Sequence, residues 1–194
     1  MTRKEQIVQT CMEIFSESGA KGITMKAIAE GVNISEPAIY RHFHNKEAVI
    51  IAMIQQVRDE LFKRVDAINR RPLTSMEKLY RIYEHHLFYL KEKRGITVAL
   101  LSESFFYDQP EARRQMLLFS NGYHERIKGV ITMGVEKGEI PDTVDPQAAS
   151  ILFMGSLQQL VTRFRLTGDE KEIDLVSGVV FDYLRKILSG GMDK

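Results

Sequence analysis

Thr24-Met25-Lys26-Ala27-Ile28-Ala29-Glu30-Gly31-Val32-Asn33-Ile34-Ser35-Glu36-Pro37-Ala38-Ile39-Tyr40-Arg41-His42-Phe43 decides how the chain is read. Thr24 is placed to cap a helix from Met25 to about Gly31, with Ile23 before the cap and Ile28 inside it. That pair forms a hydrophobic staple, which fixes how the chain turns into the helix. The device repeats at once in Ile34, Ser35 and Ile39, with Ser35 as the cap. Two short stapled helices separated by three or four residues make a helix-turn-helix. Ala29 is small enough to let the two helices cross closely. Asn33 occupies the turn, where a left-handed backbone favours Gly and, after it, Asn. Ile28, Val32, Ile34, Ile39 and Phe43 supply the apolar underside. Glu36, Pro37, Ala38, Tyr40, Arg41 and His42 remain on or near the free face of the second helix, whose N-terminal residues such a motif presents to base edges in the major groove.

Outward from this stretch the spacing stays helical. Thr2-x-x-Glu5 is a capping box, and Ile7, Cys11, Ile14 and Phe15 fall on one face of a first helix that Gly19 is expected to close with a left-handed cap. A longer helix runs from near Asn45 to about Asn69 and carries Val49, Met53, Val57, Leu61 and Val65 at every fourth position. It spans ~36 Å at 1.5 Å per residue before Arg70-Arg71-Pro72 stops it. Further segments are predicted near 74–93, 96–106, 110–137, 145–167 and 170–189, punctuated by Gly95, Pro110, Gly138-x-x-Pro141 and Gly168. Convincing alternating runs bounded by turn residues are missing, so no strand is predicted. The fold is read as all-α: an N-terminal three-helix helix-turn-helix domain, residues 1–46, then a larger helical domain, residues 47–194.

The chain has 194 residues, 44% of them hydrophobic and 27% charged, which suits a globular protein that needs no metal or disulfide staple. Its single cysteine, Cys11, excludes an intramolecular disulfide and suits a reducing cytoplasm. The longest apolar run, Ala48 to Ile54, is far below the ~18 residues of a membrane span. The first residues lack the apolar stretch of a signal peptide. A cytoplasmic location without a membrane partner is expected. A net charge of +1 does not mark a nucleic-acid binder, and residues 1–47 carry six basic and six acidic side chains. Modest non-specific DNA affinity is expected, with specific binding only when two copies act together.

Thr24-Met25-Lys26-Ala27-Ile28-Ala29, followed by Val32 to Glu47, resembles the signature of TetR-family transcriptional regulators. The match is strong over roughly residues 3–50, with Asn33 standing where that family usually has Gly. The rest is similar in its all-helical layout and in the Gly138-Glu139-Ile140-Pro141-Asp142 turn before Asp145-Pro146. The resemblance implies that Thr24 and Tyr40 donate hydroxyls to phosphate and that Lys46 is a phosphate-binding cation. The chemistry agrees, because a helix N-terminus and an ammonium both favour an anionic oxygen. Lys26 has the reach for guanine O6 and N7, and Glu36 is an acceptor for a cytosine N4 amine. Pro37 and Ala38 offer apolar contact to a thymine methyl. His42 supports the helix or touches phosphate, Arg41 faces DNA or solvent, and Ser35 completes the expected set facing double-stranded operator DNA.

In the larger domain, residues 148–164 are apolar around most of the helix. The 173–188 segment carries two apolar faces, one through Ile173, Val176, Val180, Leu184 and Ile187 and another through Leu175, Val179 and Tyr183. A helix apolar all round is buried on all sides. A homodimer through the 145–167 and 170–189 helices, paired as a four-helix bundle, is therefore expected, with Gly155, Ser156 and Gly178 allowing close approach. The middle segments are rich in aromatic residues and methionine. Tyr83, His86, Leu87, Phe105, Phe119, Tyr123 and Met154 are the expected lining of an effector pocket, suited to a small hydrophobic or aromatic molecule.

Glu84-His85-His86 suggests a metal, but adjacent helical residues point ~100° apart, so no metal site is assigned. Phosphate-loop, nucleophile-elbow and His-Glu-x-x-His motifs are missing, and Cys11 lies on an apolar face where a packed thiol is inert. No catalytic residue and no cofactor is assigned. The reading is a regulator, in the direction of a repressor released from a pseudo-palindromic operator by the effector. A helical enzyme or a protein-binding scaffold using the same cavity is the alternative.

Overall fold

The structure, a computed structural model, describes residues 1–93 and 109–191. The fold is all-α: among the described residues the elements are α1 (Arg3–Gly22), α2 (Met25–Val32), α3 (Glu36–Tyr40), α4 (Lys46–Asn69), α5 (Ser75–Glu92), α6 (Pro110–Glu136), α7 (Pro146–Thr167) and α8 (Glu170–Leu188). The helix expected near 96–106 lies outside the described residues. Of those residues, 1–60 and 109–119 form one compact unit, and 61–93 with 120–191 form another.

In the first unit, Ile7, Cys11 and Phe15 of α1 are buried, as are Ile23, Ile28, Ile39, Val49 and Met53. Burial pushes the Cys11 thiol up to about 12, against the opposing pull of Lys46, so it stays protonated and unreactive. Gly19 does break α1, but not as the left-handed cap read from the sequence. Its φ of 65° and ψ of −165° form a kink after which a last helical turn continues to Gly22. The α1 and α2 helices approach closely at Gly31, where a Cβ would stand 2.5 Å from Cγ2 of Thr10.

The turn after α2 is a Schellman motif. The Asn33 N–H donates to the Glu30 carbonyl (3.1 Å) and the Ile34 N–H to the Ala29 carbonyl (3.0 Å). Asn33 itself is left-handed, with φ 56° and ψ 51°. Replacing it with valine places a β-branched side chain there, so Asn33→Val is expected to cost about 1–2 kcal/mol, whereas Asn33→Gly stays near wild type. Thermal melts followed by circular dichroism compare the two. Ser35 departs from its expected role. It precedes α3 with extended backbone, but its side chain makes no capping bond. Pro37 has no N–H to offer, and the Ala38 N–H already donates to the Ser35 carbonyl (2.9 Å).

In the second unit, Thr74 and Glu77 form a capping box at the start of α5. The Ser75 N–H donates to the Glu139 carboxylate at 2.6 Å, and Gly138, with φ 71°, turns the chain so that Ile140 packs inward. Asp145 caps α7, and Asp169 caps α8. The inner face of α7 buries Ala149, Phe153, Leu157, Leu160 and Val161, and that of α8 buries Ile173, Phe181, Leu184 and Leu188. The outer faces leave large apolar side chains in solvent: Ile151 and Leu152 on α7, and Leu175, Val179 and Tyr183 on α8.

Candidate nucleic-acid interface

Each residue singled out around α3 is reachable from solvent. Glu36, Pro37 and Arg41 are exposed, Ala38 and His42 are half-buried, and Tyr40 is 48% exposed although its neighbour Ile39 is fully buried. An aromatic ring held by a buried neighbour, with its hydroxyl in solvent, is suited to donate to an anionic oxygen. Thr24 is exposed, and its Oγ1 accepts from the Ala27 N–H (3.0 Å) as the cap of α2. A hydroxyl has one hydrogen and two lone pairs, so capping leaves that hydrogen for a phosphate. Lys26 stands 4.0 Å from Glu30 with both side chains largely exposed, a pair too weak to withhold the ammonium from DNA. The Ser35 hydroxyl, unused by the cap, is exposed as well.

Lys46 is the first residue of α4, half-buried and near enough to Cys11 to oppose the rise in its pKa. Asn45 precedes it and accepts from the Ala48 N–H at 2.8 Å. His42, with Lys4, Phe43, Asn45 and Glu47, lines an open cleft of about 690 Å³. Glu47 is a participant that sequence reading missed. Its carboxylate accepts two backbone N–H groups at the start of α6, and a contact across 64 residues leaves no local pattern to find.

The residues suggested for an effector fall unevenly. In the second unit, the Tyr83 ring packs edge-on to Phe153 (5.4 Å between centroids) and near Phe181 (5.2 Å), while its hydroxyl oxygen accepts from Ser156 at 3.5 Å. His86 Nδ1 and the Tyr123 hydroxyl share a buried hydrogen bond of 2.7 Å. Burial, assisted by His85, pushes His86 down to about 3, and burial raises Tyr123. The pair is neutral at physiological pH. Leu87 is buried and Met154 half-buried in the same unit. Phe119 is buried in the first unit, and Phe105 lies outside the described residues. Sequence reading also missed Arg126. Its guanidinium grips Asp66 through two bonds (2.8 and 3.2 Å) and lies 3.7 Å from the Phe62 ring centroid. Among the described residues, no group of three or more His, Cys, Asp or Glu side chains is placed to hold a metal, and no helix is long and apolar enough to cross a membrane.

Residues 7–53 match the family model for bacterial regulatory proteins of the tetR family, and residues 72–188 match that for the tetracyclin repressor-like C-terminal domain. The fatty acid metabolism regulator protein of Bacillus subtilis is 22% identical over 179 residues, 92% of each chain. A nucleoid occlusion factor, SlmA of Marinobacter nauticus, is 21% identical over 187 residues, covering 92% of this chain and 94% of that one. The crystal structure of the regulator FadR from Bacillus subtilis, in complex with stearoyl-CoA, superposes with a TM-score of 0.82 at 22% identity. The match covers 98% of this chain and 100% of that one.

Proposed function

The chain belongs to the TetR family of bacterial regulatory proteins, and from that premise we propose that it works in the cytoplasm as a homodimeric repressor, without catalysis of its own, that leaves its operator when an apolar small molecule binds. It is a DNA-binding transcriptional regulator; the finer reading concerns how. The observation that supports it is the left-handed Schellman turn at Asn33, which joins α2 to a short α3 whose Glu36, Pro37, Tyr40 and Arg41 are exposed. In this reading residues 1–46 form the DNA-binding domain and residues 47–194 the effector and dimerisation domain. Tyr40, Thr24 and Lys46 hold phosphates. Lys26, Glu36, Pro37 and Ala38 read bases, Arg41 and Ser35 flank them, and His42 steadies the junction of α3 with α4.

The exposed apolar faces of α7 and α8 are the proposed dimer interface, so that two α3 helices meet successive major grooves of a pseudo-palindromic site. For the effector we propose an apolar chain with a polar head. The Bacillus subtilis relative holds stearoyl-CoA, and the buried aromatic residues around Tyr83, with the His86–Tyr123 pair, supply an apolar wall with few polar points. Linkage requires that the effector and the operator weaken each other's binding by the same factor.

The test is selection of duplexes from a random-sequence pool, then mobility shifts of the recovered 30-bp site at several salt concentrations. Lys46→Ala is expected to flatten the slope of log affinity against log salt by about 1.8. Each of two protomers would lose one phosphate contact, and each contact contributes about 0.9. Tyr40→Phe is expected to weaken binding on the order of a hundredfold, for one hydrogen bond to an anionic phosphate oxygen per protomer at about 1.5 kcal/mol each. Recovery of no site, or an unchanged slope in Lys46→Ala, overturns this reading.

A further inference from the structure

Glu47 stands in the first turn of α4, yet its carboxylate serves another helix. Its Oε1 accepts from the backbone N–H groups of Glu111 (2.9 Å) and Ala112 (3.1 Å), in the first turn of α6. That helix opens on Pro110, which brings no N–H, so these two are the donors a cap has to satisfy. The residue before it does not supply one: Oε1 of Gln109 is buried and has no hydrogen-bond partner among the described residues. The cap comes instead from 64 residues away, next in sequence to Lys46. On the other side of Lys46, Asn45 is fixed by its bond to the Ala48 N–H. The ammonium that meets phosphate in the reading above is thus set between two anchored neighbours.

We propose that Glu47 is a positioning residue for DNA binding: by clamping the first turn of α4 to the first turn of α6, it fixes where Lys46 meets the phosphate backbone. Operator affinity then depends on where α6 begins, which gives that helix a direct hold on the DNA contact. The inference rests on the DNA-binding reading above. It opposes simple electrostatics, under which an anion beside a phosphate contact repels DNA and its removal tightens binding.

The experiment titrates the same selected duplex with full-length wild type, Glu47→Ala, Glu47→Gln, Lys46→Ala and the Lys46→Ala/Glu47→Ala double variant, each checked by circular dichroism. Glu47→Ala is expected to weaken binding on the order of tenfold, the scale of a charge-assisted hydrogen bond, and to move the salt slope toward that of Lys46→Ala. Glu47→Gln keeps an acceptor oxygen and is expected to stay within about threefold of wild type. In the Lys46→Ala background, Glu47→Ala is expected to change affinity by less than about twofold, the non-additivity of groups that act together. Equal or tighter binding by Glu47→Ala overturns the proposal, and so does a loss of the same size with Lys46 absent, the mark of a merely structural role. If wild type recovers no duplex, the DNA-binding reading fails and this inference falls with it. If wild type binds and only the Glu47 variants are indifferent, this inference alone fails.

Discussion

A chain carrying Leu175→Asp and Val179→Asp is expected to sediment as a single protomer of about 22 kDa, and to lose operator affinity by at least about a hundredfold. Leu175, Val179 and Tyr183 follow one another at every fourth position of α8, and are 75, 52 and 61% exposed in one chain. Ile151 and Leu152 extend the apolar surface on α7. Each such side chain, fully buried, contributes about 1.5–3 kcal/mol, so a stripe of this kind across a two-fold interface is enough to hold a dimer. Two aspartates per protomer put four carboxylates into that interface, and taking a charge out of water costs far more than the leucine or valine contributed. The DNA penalty follows from geometry. Two linked reading heads bind about 10²–10⁴ times more tightly than one, and a lone protomer keeps only one. Both positions lie on the surface of the single chain, so its helix content and melt at low concentration are expected to stay close to wild type. A wild-type chain that sediments as one protomer while binding the selected duplex at full affinity would exclude the dimer. A doubly substituted chain that stays paired would move the interface elsewhere.

Why some of this was legible beforehand, and some was not, comes down to the range of the interaction. The α2–turn–α3 segment is specified by neighbours: Thr24 caps three residues ahead, and Asn33 closes a motif whose bonds span three and five residues. Local chemistry of that kind leaves a local pattern. The period of four along α4 is visible for the same reason, and Val49, Met53, Val57, Leu61 and Val65 are all fully buried. Ser35 failed as a cap because Pro37 and the Ala38 N–H removed the donors it would have served. That conflict between two local rules decides itself only in three dimensions. Gly19 was legible as a break but not as a kink, since a positive φ leaves ψ undetermined.

Glu47 capping α6, Asp66 gripping Arg126 and Glu139 bonding Ser75 join residues 60 or more positions apart. Nothing in the flanking residues announces them, for a carboxylate on a helix surface looks alike whether it meets water or a distant N–H. The residues proposed for an effector were legible only as inward-facing. Helical phase marks Tyr83, His86 and Tyr123 as inward, and the bond between His86 and Tyr123 is a fact of packing that phase does not contain.

That bond leads to the second large effect. Acidification from pH 7.5 to 5 is expected to destabilise the wild-type chain by about 2 kcal/mol, before most carboxylates titrate. His86 titrates near 6.5 when the chain is unfolded, but burial pushes it down to about 3 in the fold. Below pH 6.5 the unfolded chain therefore takes up a proton that the folded chain does not. Stability is complete above about 7.5 and, below 6.5, its fall approaches about 1.4 kcal/mol per pH unit until the folded group itself protonates near 3. The window above about 5 is informative because Glu77, Glu111, Glu125 and Glu139, all held below the ordinary carboxylate range in the fold, begin to cost stability only as their unfolded forms take up protons below it. His85, lowered by burial and by Arg64, adds to the loss with the same sign, so His86 has to be isolated by substitution. His86→Gln keeps an amide for the Tyr123 hydroxyl and takes up no proton. It is expected to be less stable than wild type at pH 7.5 and to lose much less on acidification, so that the two urea midpoints converge by pH 5. Parallel curves would mean that the fold accepts a proton on His86 at pH 5. Nδ1 would then have to donate to Tyr123, and the buried pair would carry a charge that its apolar surroundings oppose.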